Sequence, residues 1–298
     1  MPAGVEKLKV LLLGKNGQVG WELQRSLAPL GTVVALGRAE LDLTALDRVR
    51  LGVREIEPDL IVNAAAYTDV DRAESEPDLA MSVNGVAPGI LAEETAKLGA
   101  GLIHFSTDYV FDGAKDEPYT EVDTPNPLNV YGESKLAGER AVESVGGQYL
   151  ILRTSWVYSL RRECFVTKVL QWAHSQSELR VVDDQVSSPT WCRTIAEKVF
   201  HILSYAREDF TTFFREYSCL FHIAASGEAS RYQWAEAILS ADPRREVQTV
   251  KALRPAKSRE FPSRAKRPPF SVLDSQLLVK RFSVELPHWR IVLASALG

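Results

Sequence analysis

Apolar residues along this chain fall into short runs, separated by stretches in which they recur every three or four positions. Leu8–Leu13 is such a run and ends at a glycine-rich turn. Across Gln18–Leu30, Val19, Leu23, Leu27 and Leu30 recur at helical spacing. Val33–Leu36 predicts a second strand. Thr44–Ile56 predicts a helix, with Thr44 its expected N-cap ahead of Leu46, Val49, Val53 and Ile56. Leu60–Asn63 predicts a third strand, Ala80–Leu98 a long helix and Leu102–Ser106 a fourth strand. Tyr131–Val145 is again helical, followed by Tyr149–Arg153 as a fifth strand. Strands alternating with helices imply βαβ units with right-handed crossovers, hence an α/β fold with a doubly wound parallel sheet of Rossmann type. Ligands of such folds bind at the carboxyl edge of the sheet. The residues expected there are Gly14, Gly37-Arg38, Asn63-Ala64-Ala65-Ala66, Ser106-Thr107-Asp108 and Thr154-Ser155-Trp156.

The second half is less regular. Helices are expected at about 163–177, 190–206, 230–240, 274–281 and 289–297, around a Pro- and Arg-rich stretch, Lys251–Pro269. The expected organisation is a nucleotide-binding domain over 1–155 and a smaller substrate-binding lobe over 156–298, with 190–225 returning to the first domain.

Composition narrows the function classes. The 298 residues carry 45% hydrophobic and 25% charged side chains, enough for a sizeable core. A net charge of −4 and a pI near 5.8 argue against nucleic acid as a partner. No stretch approaches the roughly 20 apolar residues that span a bilayer, and Val10–Leu13 is too short for a signal-peptide core. Cys164, Cys192 and Cys219 are odd in number and far apart, which suits a reducing compartment, and a cytoplasmic location is expected.

Gly14-Lys15-Asn16-Gly17-Gln18-Val19-Gly20 lies between a strand and a helix. A pyrophosphate needs close approach to amides at a helix N-terminus, and the turn needs backbone freedom. After the second strand stands Arg38, where an acidic residue would favour NAD and an arginine favours a 2′-phosphate. The expectation is NADP(H), with NAD(H) as the alternative. Asp42 and Leu43 are placed either to contact adenine or to cap the following helix.

Tyr131 and Lys135 are four apart and share one helix face. A free tyrosine titrates near about 10, and a neighbouring ammonium favours its phenolate, allowing proton exchange with a carbonyl oxygen. Thr107, after the fourth strand, supplies a hydroxyl able to polarise that oxygen.

In their order and spacing, these residues resemble the extended short-chain dehydrogenase/reductase superfamily, and within it the dTDP-4-dehydrorhamnose reductase family. The matching stretches are 12–23, 62–74, Ser106 to Phe111, 129–139, 153–158 and Asp184 to Thr190, with a looser match at 267–274. The resemblance implies NAD(P)H-dependent reduction of a nucleotide-linked 4-keto sugar to dTDP-L-rhamnose for surface polysaccharides. It implies Tyr131 as proton donor, Lys135 as its partner and a ribose ligand, and Thr107 as the third catalytic residue. Asp108 and Trp156 are implied to face the substrate. Gly14, Gly17, Gln18, Val19, Gly20, Asp42, Leu43, Ala66, Tyr67 and Thr68 are implied to line the cofactor.

Some members of the family are homodimers that hold Mg2+ between subunits with carboxylates. Glu22 matches one ligand position, but Arg193 and Arg290 stand at the other two. Cations cannot replace hard oxygen ligands, so no metal is expected, nor the dimer it would bridge; another homodimer stays open. Lys251–Arg267 holds seven basic residues against one acid, and at least one is expected to reach a diphosphate. Two other readings compete. One is a sugar-nucleotide epimerase or dehydratase, which the Tyr109 following Asp108 disfavours. The other is a non-catalytic regulatory subunit resembling the β-subunit of methionine adenosyltransferase, which the intact Thr107, Tyr131 and Lys135 set disfavours.

Overall fold

The computed structural model describes residues 8–207 and 210–298. Its strands are β1 (Leu8–Leu13), β2 (Gly31–Leu36), β3 (Leu60–Asn63), β4 (Gly101–Thr107), β5 (Gln148–Thr154), β6 (Val157–Tyr158), β7 (Glu178–Val182), β8 (Val186–Ser187), β9 (Thr190–Trp191), β10 (Cys219–His222), β11 (Ala229–Ser230) and β12 (Ala252–Ala256). The helices are α1 (Gln18–Leu27), α2 (Leu46–Ile56), α3 (Val70–Ala73), α4 (Pro77–Met81), α5 (Ala87–Leu98), α6 (Val130–Val145), α7 (Phe165–Ala173), α8 (Cys192–Ser204), α9 (Phe210–Tyr217), α10 (Arg231–Ala241), α11 (Gln276–Phe282) and α12 (Trp289–Leu297). Six strands form one parallel sheet in the order β10-β5-β4-β3-β1-β2.

Why β1 reads as an unbroken apolar run is now visible. Val10 and Leu12 pack on one side with Leu23 and Leu27 of α1 and Ile195 and Val199 of α8. Leu11 and Leu13 pack on the other with Val49 and Val53 of α2 and Leu91 of α5. A parallel strand covered on both faces cannot alternate with polar residues. A separate cluster around Trp156, Val166, Trp234, Trp289 and Leu293 holds α7, α10 and α12 with the paired β7 and β12.

Several expectations are corrected. Thr44 does not cap α2, which starts at Leu46; Asp42 instead accepts from both the Thr44 backbone N–H and hydroxyl at 2.9 Å, closing a turn before the helix. The helix expected over 80–98 is broken by a π turn at Ser82–Val86, a device that often marks a functional site. The first helix ends at Leu27, and Pro29 sits in a short 3-10 turn. Both α9 and the edge strand β10 escaped the periodicity reading. Four residues, Cys219 to His222, are too few to show a period.

Two ion-pair sets fix helices to the sheet region. Arg153 of β5 donates to Glu139 of α6 through Nε at 2.8 Å and Nη2 at 2.6 Å, with both side chains buried. Glu94 of α5 accepts from Arg50, Arg54 and Lys97. Hydrogen bonds from these cations, led by Arg54, hold its carboxyl down to about 2.

Candidate active site

A cleft of about 670 Å³ opens at the carboxyl edge of the sheet. Gly14, Gly17, Gln18, Val19, Arg38, Asp42, Leu43, Ala66, Tyr67, Thr68, Thr107, Asp108, Tyr131, Lys135 and Trp156 all line it. Gly20 does not. A Cβ there would stand 2.1 Å from the Gly14 carbonyl, so the third glycine serves to pack α1 against the turn. Gly14 itself has φ +85°, and a Cβ on it would lie 2.7 Å from the Ala64 backbone. The turn therefore brings bare amides of the α1 N-terminus to the cleft, with Gly17 capping the helix through no side chain.

Three buried polar atoms on the cleft wall lack partners: Gln18 Oε1, Ser106 Oγ and Thr154 Oγ1. Buried polar atoms are normally hydrogen-bonded, so these await a polar ligand. Together with the glycine cradle, they fit a dinucleotide. Arg38, largely exposed, holds Asp42 at 3.1 Å. Asp42 is kept below its usual range, chiefly by the Thr44 N–H.

The loop bearing Ala66, Tyr67 and Thr68 is fixed by the π turn. Asn84, buried there, accepts from Tyr67 N at 2.8 Å and donates to Tyr67 O at 2.9 Å and to Ser134 Oγ at 3.0 Å. Asn129 caps α6 by accepting from Gly132 N at 2.8 Å, which sets the helix start just before Tyr131.

Tyr131 and Thr107 meet on the cleft wall, and burial raises the Tyr131 pKa above the usual range, with Thr107 opposing it. The sequence reading had the lysine lowering it. Instead, the Lys135 ammonium donates to the Phe105 carbonyl at 2.6 Å and lies 3.4 Å from His104 Nε2. Burial brings Lys135 down to about 8, and burial followed by the Lys135 charge keeps His104 neutral.

Asp108, expected to face substrate, is 2% exposed. Its Oδ2 accepts from Ser271 Oγ at 2.6 Å and Ser187 Oγ at 3.2 Å, and its Oδ1 accepts from Thr107 Oγ1 at 3.2 Å. Burial pushes its carboxyl up to about 6.

A second cleft of about 1010 Å³ adjoins the first and shares Gln18, Trp156 and Val157 with it. Trp156 has φ 39°, rare for a bulky residue and costing about 1–3 kcal/mol. Its indole stacks on Trp234 at 5.6 Å, with the Arg231 guanidinium 3.6 Å from its ring centre. Arg231 escaped the sequence reading, although the Ser230-x-x-Gln233 capping box, present here, places it at the first turn of α10. Among the described residues Arg231 pairs with no carboxylate, and burial lowers its pKa. The Tyr109 phenol interacts with both guanidinium groups, of Arg231 and Arg267. Of the basic stretch, Arg254 and Lys257 are held by Glu178 and Asp183, whereas Arg259, Lys266 and Arg267 line this cleft. Arg267 also pairs with Asp71 at 2.6 Å.

The residues at the family's metal positions do not fit a divalent cation. Glu22 pairs with Arg25 at 2.7 Å, Arg193 with Glu197 at 3.1 Å, and Arg290 lies over Trp289. No helix among the described residues is long and apolar enough to cross a membrane.

Comparison with known proteins agrees with this geometry. The model of the family described as RmlD substrate binding domain matches residues 8–298. A dTDP-4-dehydrorhamnose reductase of Burkholderia thailandensis is 44% identical, covering 95% of this chain and 96% of that protein. The crystal structure of a dTDP-4-dehydrorhamnose reductase from Clostridium acetobutylicum superposes with TM-score 0.88 at 34% identity, covering 97% of this chain and 98% of that one. One from Bacillus anthracis, in complex with NADP, gives 0.86 at 32% identity over 97% and 98%. With the family model matched over residues 8–298 and relatives covered almost end to end, the chain belongs to the RmlD family, that of the dTDP-4-dehydrorhamnose reductases.

Proposed function

We propose that this chain reduces the 4-keto group of dTDP-4-dehydro-L-rhamnose to dTDP-L-rhamnose with NADPH, for surface polysaccharide synthesis. The observation that carries the reading is the Tyr131–Thr107 hydroxyl pair, set where a dinucleotide-shaped cleft meets a basic one. The 1–155 segment holds the cofactor and 156–298 mainly the sugar nucleotide, with 190–225 rejoining the first.

The first cleft would hold the nicotinamide cofactor, whose chemistry when bound would be hydride donation to the sugar carbon. Tyr131 gives its proton to the ketone oxygen and Thr107 polarises that oxygen. Lys135, anchored on the Phe105 carbonyl one turn from Tyr131, is placed to take the nicotinamide ribose. The α1 amides and Gly17 take the pyrophosphate, and Arg38 takes the 2′-phosphate, so NADPH is preferred and NADH tolerated. Arg231 and Arg267 hold the substrate diphosphate, and Trp156 packs on the sugar nucleotide.

The test is NADPH consumption with dTDP-4-dehydro-L-rhamnose made in situ, with NADH run beside it. Formation of dTDP-L-rhamnose, faster with NADPH, is expected. No consumption by a protein that binds NADPH would overturn the reading. Tyr131→Phe should lower kcat about 10²–10⁴-fold while NADPH still binds.

A further inference from the structure

The hydroxyl network around Asp108 contains a proton count that the reductase chemistry leaves open. Thr107 Oγ1 has one proton and two lone pairs. One lone pair accepts from the Tyr109 backbone N–H at 3.2 Å. Asp108 Oδ1 stands 3.2 Å away on another side, and the Tyr131 phenol shares the cleft wall with the same hydroxyl. If Asp108 is ionised, it can only accept, so Thr107 must donate its single proton to it. Thr107 then has nothing to give a ketone. If Asp108 is protonated, it can donate to Thr107. The single Thr107 proton is then free for the substrate oxygen.

We propose that Asp108 is a positioning residue that works as a neutral acid, donating to Thr107 Oγ1 so that Thr107 and Tyr131 together present their protons to the ketone. The proposal rests on the reading of Thr107 and Tyr131 as the pair at the reacting oxygen. It concerns the direction of one hydrogen bond and transfers no proton to substrate from Asp108 itself.

The surroundings favour the neutral acid. Asp108 is buried, and its neighbours through hydrogen bonds are the uncharged Ser187 of β8, Ser271 and Thr107. The titratable groups facing it are the Tyr131 phenol from α6, the adjacent Tyr109 phenol and the Arg231 guanidinium from α10. Arg231 and the hydroxyls of Ser271, Ser187 and Thr107 favour the carboxylate, and burial outweighs the hydroxyl bonds, bringing the carboxyl up to about 6. A sugar nucleotide excludes water and brings negative charge close by, and both raise that value further.

Ser271 and Ser187 give the proposal a handle. Both donate to the other carboxylate oxygen and so favour ionisation. Ser271→Ala removes the shorter bond and should move the titration to higher pH. Asp108→Asn replaces the acid with a group that can donate to Thr107 at every pH.

The experiment is the pH profile of kcat for the wild type and these two variants, with an infrared pH titration of the protonated-carboxyl band in the NADPH-bound proteins. In the wild type, kcat should fall about 10²-fold as pH rises through a midpoint above 6. The limb should be absent in Asp108→Asn and displaced upward in Ser271→Ala. The carboxyl band should be present at and below about pH 6 and lost in Asp108→Asn. A limb that persists in Asp108→Asn, one that Ser271→Ala leaves in place, or a missing band overturns the proposal. Failure of the reductase reading shows separately, as no NADPH consumption by the wild type at any pH, and the band then still decides the state of Asp108.

Discussion

Glu139→Ala should destabilise the protein and, through the same contact, alter the active site. The carboxylate accepts two bonds from Arg153, at 2.8 and 2.6 Å, from side chains 2% and 4% exposed. Bonds to charged groups are worth about 1.5–3 kcal/mol each. Truncation leaves a buried guanidinium whose Nη1 already lacks a partner. The face of Phe111, 5.1 Å away, already contacts the guanidinium with Glu139 in place and offsets none of this. The net loss is then about 3–4 kcal/mol, within the range found when one partner of a buried pair is removed. Urea unfolding followed by tryptophan fluorescence should show a midpoint lower by roughly 1 M, for a slope of about 3 kcal/mol/M. Replacing both partners, with Glu139→Ala and Arg153→Met together, should restore most of the midpoint, because no charge is left stranded. Glu139 also raises the pKa of Lys135, so the single variant should move that ammonium further below about 8. A single variant within 1 kcal/mol of wild type, or a double variant no better than the single, would refute the reasoning.

Arg38→Ala should weaken NADPH about tenfold and NADH little, measured by fluorescence titration of both; equal weakening would remove the 2′-phosphate role. Glu94, held near 2 in the folded state against 4.5 ordinarily, contributes stability that is complete above pH 4.5 and is lost as pH falls through 2. With its cations half exposed, about 1–2 kcal/mol is at stake. Urea midpoints of wild type and Glu94→Gln should therefore converge as the pH is lowered from 6 to 3.

What the sequence disclosed, and what it withheld, follows from range. β1 was legible because burial on both faces forces an apolar run, and Tyr131 and Lys135 because one helix turn relates them. The glycine turn was legible because backbone conformation is a local property. The hydrogen bonds that hold Asp108 stayed hidden because its partners Ser187 and Ser271 lie 79 and 163 residues away, and no local pattern announces that they converge. Arg231 was passed over because its meaning comes from Trp156, on a different element. The supposed effect of Lys135 on Tyr131 assumed that proximity along a helix meant contact, whereas the ammonium reaches back to the strand. The π turn left no trace in the spacing of Ala80–Leu98, since one displaced residue hardly disturbs a helical period.

The wall formed by Gln18, Trp156 and Val157 belongs to both clefts. Whatever occupies one cleft therefore selects among the arrangements of that wall before the other is filled. The affinities of the two ligands are linked as a consequence: any factor by which the cofactor improves or impairs binding of the sugar nucleotide must reappear, unchanged, when the order of addition is reversed. Trp156, held in a strained backbone conformation, is the bulkiest side chain of that shared wall.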